Sequence, residues 1–439
     1  MNFIVITLLF IHVLAHGVIS RSFKDSEHCD INYIGSIISQ RLINDMNILL
    51  IVNSNNVFEI DSGGALRNNL FVRAFSEIGH VDIICFTRND IISNISNCDV
   101  LFSKLLYEDE GLIEAFRSFF CITFCPSYPY SYYQVNKQKE EIVDSYVKKK
   151  DYDIIACRYV DSAIKCGLLK YKDKLVIDVD DNPANVLKFF ATKAKSRFEK
   201  CKKLYESKRI GRMLNFLCNN VRCTFSSNPL ELPSSRTVYL HNTTILKQLD
   251  SDIIESTYPR ILFVGYLNYY PNRQGIAHFV ESIFPQIKSA IPLVELRIVG
   301  DGKPEFLAYL NGKEGVKAMG RVDDVASEYQ QASVVVIPIY YGSGTCVKFV
   351  EALFMNRPVV SSLVGARGFC DVCREGEDFM LAKNDEEFVK KTIELLSSES
   401  KAIEMSNKGF DKANNYYSQD SFIDIVKKTI LESFDRRVN

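Results

Sequence analysis

A lysine at the start of a helix is poorly placed, because that end already carries partial positive charge. The stretch "YYGSGTCVKFVEALFMNRPVVSS", Tyr340 to Ser362, has one there. Gly342, Ser343 and Gly344 lead into a predicted helix, Lys348 falls in its first turns, and Glu351 lies one turn further on. A bound anion would resolve the conflict. Two glycines let backbone approach a ligand closely, and the free N–H groups of a helix start attract phosphate. Lys348 would then be the phosphate's partner. Glu351 shares a helix face with it, and a carboxylate there can accept hydrogen bonds from sugar hydroxyls. The plainer alternative is an ordinary glycine turn followed by a solvated Lys–Glu pair, and this stretch alone does not separate the two.

Two further segments carry chemistry. "DSGGALRNNL" (61–70) places Gly63 and Gly64 after a predicted first strand and before a helix, a second phosphate-approach turn that lacks the full G-x-G-x-x-G pattern. "VIDVDDNP" (176–183) sets Asp178, Asp180 and Asp181 at a strand end. They could form a D-x-D metal site, a cleft wall touching substrate, or a helix N-cap with exposed acids. Cys370 and Cys373 have C-x-x-C spacing, but no further ligands at zinc spacing accompany them. Their expected role is structural, and no metal is expected. Sequons at Asn94 and Asn242 are near what chance gives.

The elements that must position these residues are legible as a pattern. The 439 residues exceed one ordinary core, and 47% apolar with 24% charged residues describes a globular chain. Lysine plus arginine (53) nearly balances aspartate plus glutamate (54), so nothing suggests a nucleic-acid partner. The 13 cysteines are odd in number and scattered, as in a reduced, cytoplasmic protein. From Met46, short apolar strands alternate with helical periods: "ILLIV", "VDIICF", "YDIIAC", "KLVIDV" and "RCTFSS". A helical face at Leu66, Leu70, Phe71, Ala74, Phe75 and Ile78 follows the first strand. The alternation restarts at "RILFVG" and continues through "VELRIVG", "VKAMG", "SVVVIP" and "PVVSS". Two such series predict two doubly wound α/β domains, with ligands at the carboxyl ends of the strands. The predicted boundaries are 46–250 for the first domain, 251–415 for the second, and 416–439 for a last helix that could cross back to the first.

Residues 2–20 contain no Lys, Arg, Asp or Glu. Their length suits a short membrane span, and Arg21 and Lys24 after it would keep the rest of the chain on the cytoplasmic side. A cleaved signal, or an over-long start before a natural first strand at Met46, are the other readings. Residues 22–45 read as a tether.

"FVGYLNYYPNRQG" (263–275), "LRIVGDG" (296–302), "MGRVDDV" (319–325) and "GSGTCVKFVEALFMNRPVVSSLVGARG" (342–368) stand in an order and spacing that resembles the glycosyltransferases of family 4. Those are retaining, nucleotide-sugar-dependent enzymes of the GT-B fold, two Rossmann-like domains facing across a cleft. The resemblance is strong over about 260–400, looser in the first domain, and absent from 1–45. It implies that Gly342, Ser343, Gly344 and Thr345 hold the donor diphosphate, with Lys348 as counter-charge. Glu351, matching the second glutamate of the family's E-x7-E signature, would hold the ribose. Arg321 and Val322, beside Gly320, would read the base. Gly265 opens the first loop of the second domain, Gly63 and Gly64 would approach the phosphates from the first, and Asn272 and Arg273 stand near the family's lysine. Several positions depart from the pattern. The first glutamate of E-x7-E falls at Ser343, the subgroup's arginine is Cys346, Tyr266 stands near the family's other arginine, and an acid of "DVDD", Asp181, stands in for a catalytic histidine.

The implied activity is transfer of a sugar from a nucleoside diphosphate to a glycan or lipid-linked acceptor of a surface polysaccharide, with no cofactor, the nucleotide-sugar being a substrate. The expected place is the cytoplasm, at the inner membrane face if residues 2–20 are an anchor. A non-hydrolysing nucleotide-sugar epimerase on the same fold and a catalytically inactive nucleotide-sugar-binding protein are the alternatives. A metal-dependent enzyme using Asp178 and Asp180 would leave the second α/β domain unexplained.

Overall fold

The computed structural model describes residues 46–53, 57–58, 63–87, 93–106, 135–180, 182–228, 232, 234–246, 258–342 and 345–435. The three readings of residues 1–45, and the site assignments of Asp181, Ser343 and Gly344, lie outside them. Among the described residues no helix is long and apolar enough to cross a membrane.

Two parallel sheets organise the chain. The first contains β1 (Met46–Val52), β2 (Gly79–Cys85), β3 (Cys98–Ser103), β4 (Ile154–Arg158), β5 (Leu175–Asp180), β6 (Cys223–Ser226) and β7 (Thr237–Tyr239), in the order β3-β2-β1-β4-β5-β6-β7. The second contains β8 (Arg260–Val264), β9 (Glu295–Val299), β10 (Val316–Gly320), β11 (Val334–Ile337), β12 (Val359–Ser362) and β13 (Met380–Ala382), in the order β10-β9-β8-β11-β12-β13. The central strands are apolar on both faces because helices cover both sides: Ile48, Leu49, Ile51, Ile261, Leu262 and Phe263 are all buried. In each sheet the chain steps outward from its first strand, then returns to that strand's other side. Those reversals, β1/β4 and β8/β11, open a crevice at the carboxyl edge.

The helices that bear on the site are α1 (Gly63–Ser76), α2 (Pro183–Thr192), α3 (Arg197–Asn220), α4 (Tyr270–His278), α5 (Val347–Phe354) and α6 (Gln419–Asp435). The apolar face expected for α1 is buried throughout, Leu66 to Ile78. The long charged stretch after β5 forms two helices, α2 and α3. Ser196 breaks it by accepting a bond from Glu199 N (3.1 Å), while the Glu199 carboxylate accepts from Lys195 N (3.1 Å). That reciprocal pairing is a strong helix-start signal. Beyond α4 the helix passes through a π turn, Phe279–Ile283, just before Pro285. Proline cannot donate to the preceding turn, and the wider turn absorbs the defect.

Each sheet has its own apolar core, yet α6 covers the first one. Phe422, Ile423, Val426 and Ile430 are buried, as their spacing predicts. The Phe422 ring meets Phe71 of α1 edge-on at 5.4 Å, Arg73 donates to Gln419 (3.0 Å), and Lys427 pairs with Glu77 (2.7 Å). Phe422→Ala should therefore destabilise the protein by about 3–5 kcal/mol, the usual cost of emptying a buried aromatic site. An unchanged urea midpoint in that variant would show that α6 does not stabilise the first domain.

Candidate active site

The centre of the first domain is a buried carboxylate. Asp178, near the end of β5, is 2% exposed. Arg67 of α1 grips both its oxygens, through Nε (2.7 Å) and Nη2 (2.8 Å), and Arg158 Nε at the end of β4 adds a third bond (2.8 Å). Burial alone would push this carboxyl up. The charge and hydrogen bonds of Arg67, then of Arg158, outweigh it and hold Asp178 below the ordinary carboxylate range. Asp178 thus pairs with two arginines and does not cap α2. Its oxygens are already taken, and the N-cap of α2 is Asn182, which accepts from Ala184 N at 3.0 Å.

The remaining donors of the two arginines build the cleft wall. Arg158 Nη1 donates to the carbonyl of Gly64 (2.6 Å), fixing the glycine turn, and Nη2 donates to Asp180 (2.7 Å). Arg67 Nη1 donates to Asn242 Oδ1 (2.9 Å), and Asn242 Nδ2 donates to Thr345 Oγ1 (2.7 Å) in the second domain. One line of polar contacts therefore runs from β5 to the loop ahead of α5. It borders a cavity of about 190 Å³ whose lining includes Gly63, Gly64, Tyr159, Asp180, Thr243 and Thr345. Thr345 accepts from Asn242, so its own proton stays available to an anionic ligand. The buried Thr243 hydroxyl finds no partner among the described residues. Tyr159 (φ 64°) and Asp180 (φ 59°) both have positive φ. Such conformations cost about 1–3 kcal/mol each and cluster at functional sites.

The second domain supplies a cation. Lys348, at the second position of α5, donates from Nζ to Asn272 Oδ1 of α4 (2.9 Å), and Asn272 Nδ2 donates to the Tyr266 carbonyl (3.0 Å). Gly265 completes the group: a Cβ there would meet Asn272 Nδ2 at 2.9 Å and Lys348 Cε at 3.2 Å. The next loop presses equally close, since Gly300 (φ 142°) would place a Cβ 2.0 Å from the Gly265 carbonyl oxygen. Gly342 (φ 132°) is held by Arg367, which donates to its carbonyl at 3.0 Å. Glu351 turns away from Lys348 and accepts from Tyr329 OH (2.9 Å). Burial pushes the Glu351 carboxyl above its ordinary range, and the Tyr329 bond and the Lys348 charge offset only part of that.

The structure thus joins Gly265, Asn272 and Lys348 in one contact group, and Gly63, Gly64 and Thr345 in one cavity lining. Arg273 points its guanidinium at the Tyr270 ring (5.9 Å), and Arg321 and Val322 follow β10, Arg321 exposed. Among the described residues none of these three is hydrogen-bonded to the Lys348 group. Arg67, Arg158 and Tyr159 have no counterpart in the sequence reading. Asn242 was legible only as a sequon, and a glycan on its Nδ2 would remove the bond to Thr345.

Residues 258–398 match the family model described as Glycosyl transferases group 1. That match lies within the second domain and marks it as similar to the domains of that family. A Klebsiella pneumoniae protein described as an uncharacterized 44.6 kDa protein in the cps region is 24% identical over 298 residues, covering 64% of this chain and 74% of that protein. The fold is GT-B. Sucrose-phosphate synthase from Thermosynechococcus elongatus superposes with a TM-score of 0.63 at 17% identity, over 89% of this chain and 100% of that one. Anabaena HepE, solved with UDP and glucose, gives 0.57 at 12% identity over 88% and 99%. Lys348, Glu351 and Gly342 all lie within the matched residues.

Just after β7, His241 is buried against Tyr417 (5.5 Å) and Phe422 (6.1 Å), its Nε2 3.4 Å from Ser421 Oγ. Burial, with a smaller contribution from Arg67, pushes this imidazole down to about 4. Its folded value lies below the unfolded one, so its contribution is complete above about pH 6.5 and is lost as pH falls toward 4. The melting temperature should drop across that window, and His241→Gln should flatten the drop. An identical slope in the variant would exclude His241 as its source.

Proposed function

We propose that the protein transfers a sugar from a nucleoside diphosphate donor to a glycan or lipid-linked acceptor of a surface polysaccharide, with retention at the anomeric carbon and without a metal. The observation that carries this reading is the Lys348 ammonium, held by Asn272 in the first turn of α5, next to Val347 and just after Thr345 of the cavity lining. In transfer, the bond from the anomeric carbon to the diphosphate oxygen breaks and one to an acceptor hydroxyl oxygen forms. Negative charge grows on the departing diphosphate. Backbone N–H groups at the α5 start, the Thr345 hydroxyl and Lys348 are preorganised to receive it, the kind of electrostatic stabilisation that dominates such steps. Glu351, with Tyr329 on its carboxylate, is placed to accept from ribose hydroxyls. The pairing of Asp178 with two arginines, and of Asp180 with Arg158, supports a reading without a metal at these acids. HepE, solved with UDP, makes UDP the first nucleotide to test. Retention and the acceptor class rest on the motif resemblance.

Lys348→Ala should lower turnover about ten- to a hundred-fold, the loss of one charge-assisted phosphate contact, when assayed with EDTA present. Wild-type rates in the variant would remove the phosphate role. A wild-type rate restored only by added Mg²⁺ would remove metal independence. Conversion of the donor to an epimer without acceptor would point to an epimerase instead.

Glu351→Gln should weaken UDP binding by about ten-fold, one hydrogen bond to a charged group, with little change in melting temperature. Calorimetry showing equal affinity would take the ribose away from Glu351.

A further inference from the structure

The whole chain carries a formal net charge of −1. Between Lys188 and Arg212, however, ten lysines and arginines stand against two glutamates. This segment is the hairpin of α2 and α3. Both glutamates are used within it, Glu199 beside Lys203 (3.7 Å) and Glu206 beside Lys202 (4.0 Å). Lys195, Arg197, Lys200, Lys208 and Arg212 are exposed and make no ion pair among the described residues. Such a concentration of unpaired positive charge needs an anionic partner or a well-solvated face.

The apolar residues decide which. Phe198, at the bend of the hairpin, is 81% exposed, and Leu204 (43%), Tyr205 (40%) and Phe190 (38%) are also unusually open. Phe198, Cys201 and Tyr205 follow helical spacing on one exposed face of α3, with Lys208 and Arg212 continuing it. A simply solvated helix has no reason to present phenylalanine at its most projecting point. Aromatic side chains flanked by long cations, whose stems cover apolar surface while their charges reach outward, suit the boundary of a bilayer with anionic headgroups.

Its position gives such a surface a purpose. Phe189 of α2 packs on Tyr341 (5.5 Å) and near Tyr270 (6.3 Å), and the Lys193 ammonium lies 4.6 Å from the Tyr341 ring centroid. Tyr341 immediately precedes Gly342. The hairpin therefore stands at the rim of the cleft, against the glycine loop of the second domain.

We propose that the α2–α3 hairpin docks the protein on an anionic bilayer and so holds the cleft mouth at the membrane surface, where a lipid-borne substrate would be presented. The docking itself does not depend on the transferase reading. That reading supplies only its use, and a binding assay separates the two.

The test is co-sedimentation of the full chain with vesicles. About 30% phosphatidylglycerol in phosphatidylcholine should retain the protein at low salt, retention should fall as salt rises, and pure phosphatidylcholine should retain little. The triple variant Lys195→Glu, Arg197→Glu, Lys200→Glu should weaken binding by about a hundred-fold or more, at roughly one charge contact per residue. Phe198→Ser with Tyr205→Ser should weaken it without changing net charge. All five positions are exposed, so UDP affinity and circular dichroism should stay unchanged. Wild-type retention of both variants would overturn the proposal, placing any affinity elsewhere, such as residues 2–20. Equal retention on neutral vesicles would also overturn it, as would binding to single-stranded RNA with none to vesicles.

Discussion

The carboxylate of Asp178 is cut off from water and must be held by charge from the protein itself. Two guanidinium groups do this, and neither can meet the need and remain idle elsewhere, because each has further donors to satisfy. Arg158 spends its donors on the Gly64 carbonyl and Asp180, and Arg67 spends its on the Leu240 and His241 carbonyls and on Asn242. The same ion cluster that closes the first core therefore locates the glycine turn, the end of β5 and the strand that leads to the second domain. Loss of one partner from a buried cluster of this kind typically costs about 3–5 kcal/mol. Here it would also release the cleft wall.

Across the cleft the forces are divided differently. Lys348 and Glu351 sit one helical turn apart, yet each side chain is engaged by its own neighbour on another element, Lys348 by Asn272 and Glu351 by Tyr329. Among the described residues, the domains meet through Asn242 to Thr345, Tyr239 OH to the Gly368 carbonyl (3.2 Å), and the Phe189 ring against Tyr341.

The central strands and α1 were legible because their burial requires runs of Ile, Leu and Val or a clean helical period. β3, β7 and β13 were not. "CDVLFS" carries an aspartate at its second position and buries only Cys98, and "TVY" and "MLA" are three-residue strands too short to show a period. The site divides along the same line. Gly342, Thr345, Lys348 and Glu351 fall in one short segment whose local conflict of charge and helix start invites the question. Arg67, Arg158 and Asn242 are scattered over 175 positions and become a unit only through tertiary contact. Asp178 was noticed for the wrong reason. Its acidic neighbours suggest exposed chemistry, whereas its two arginines, 111 and 20 positions away, turn it into an internal anchor.

The return of α6 to the first domain sets the order in which the protein can be finished on the ribosome. The apolar face of α1 emerges early, and the Phe422 that covers it comes some 350 residues later. At roughly 5–20 residues per second that interval is about 20–70 s. Through it the apolar face of α1 lacks that cover. The second core, which includes Ala413 and Tyr417, is complete only shortly before Phe422, so the half made first waits for nearly all of the second.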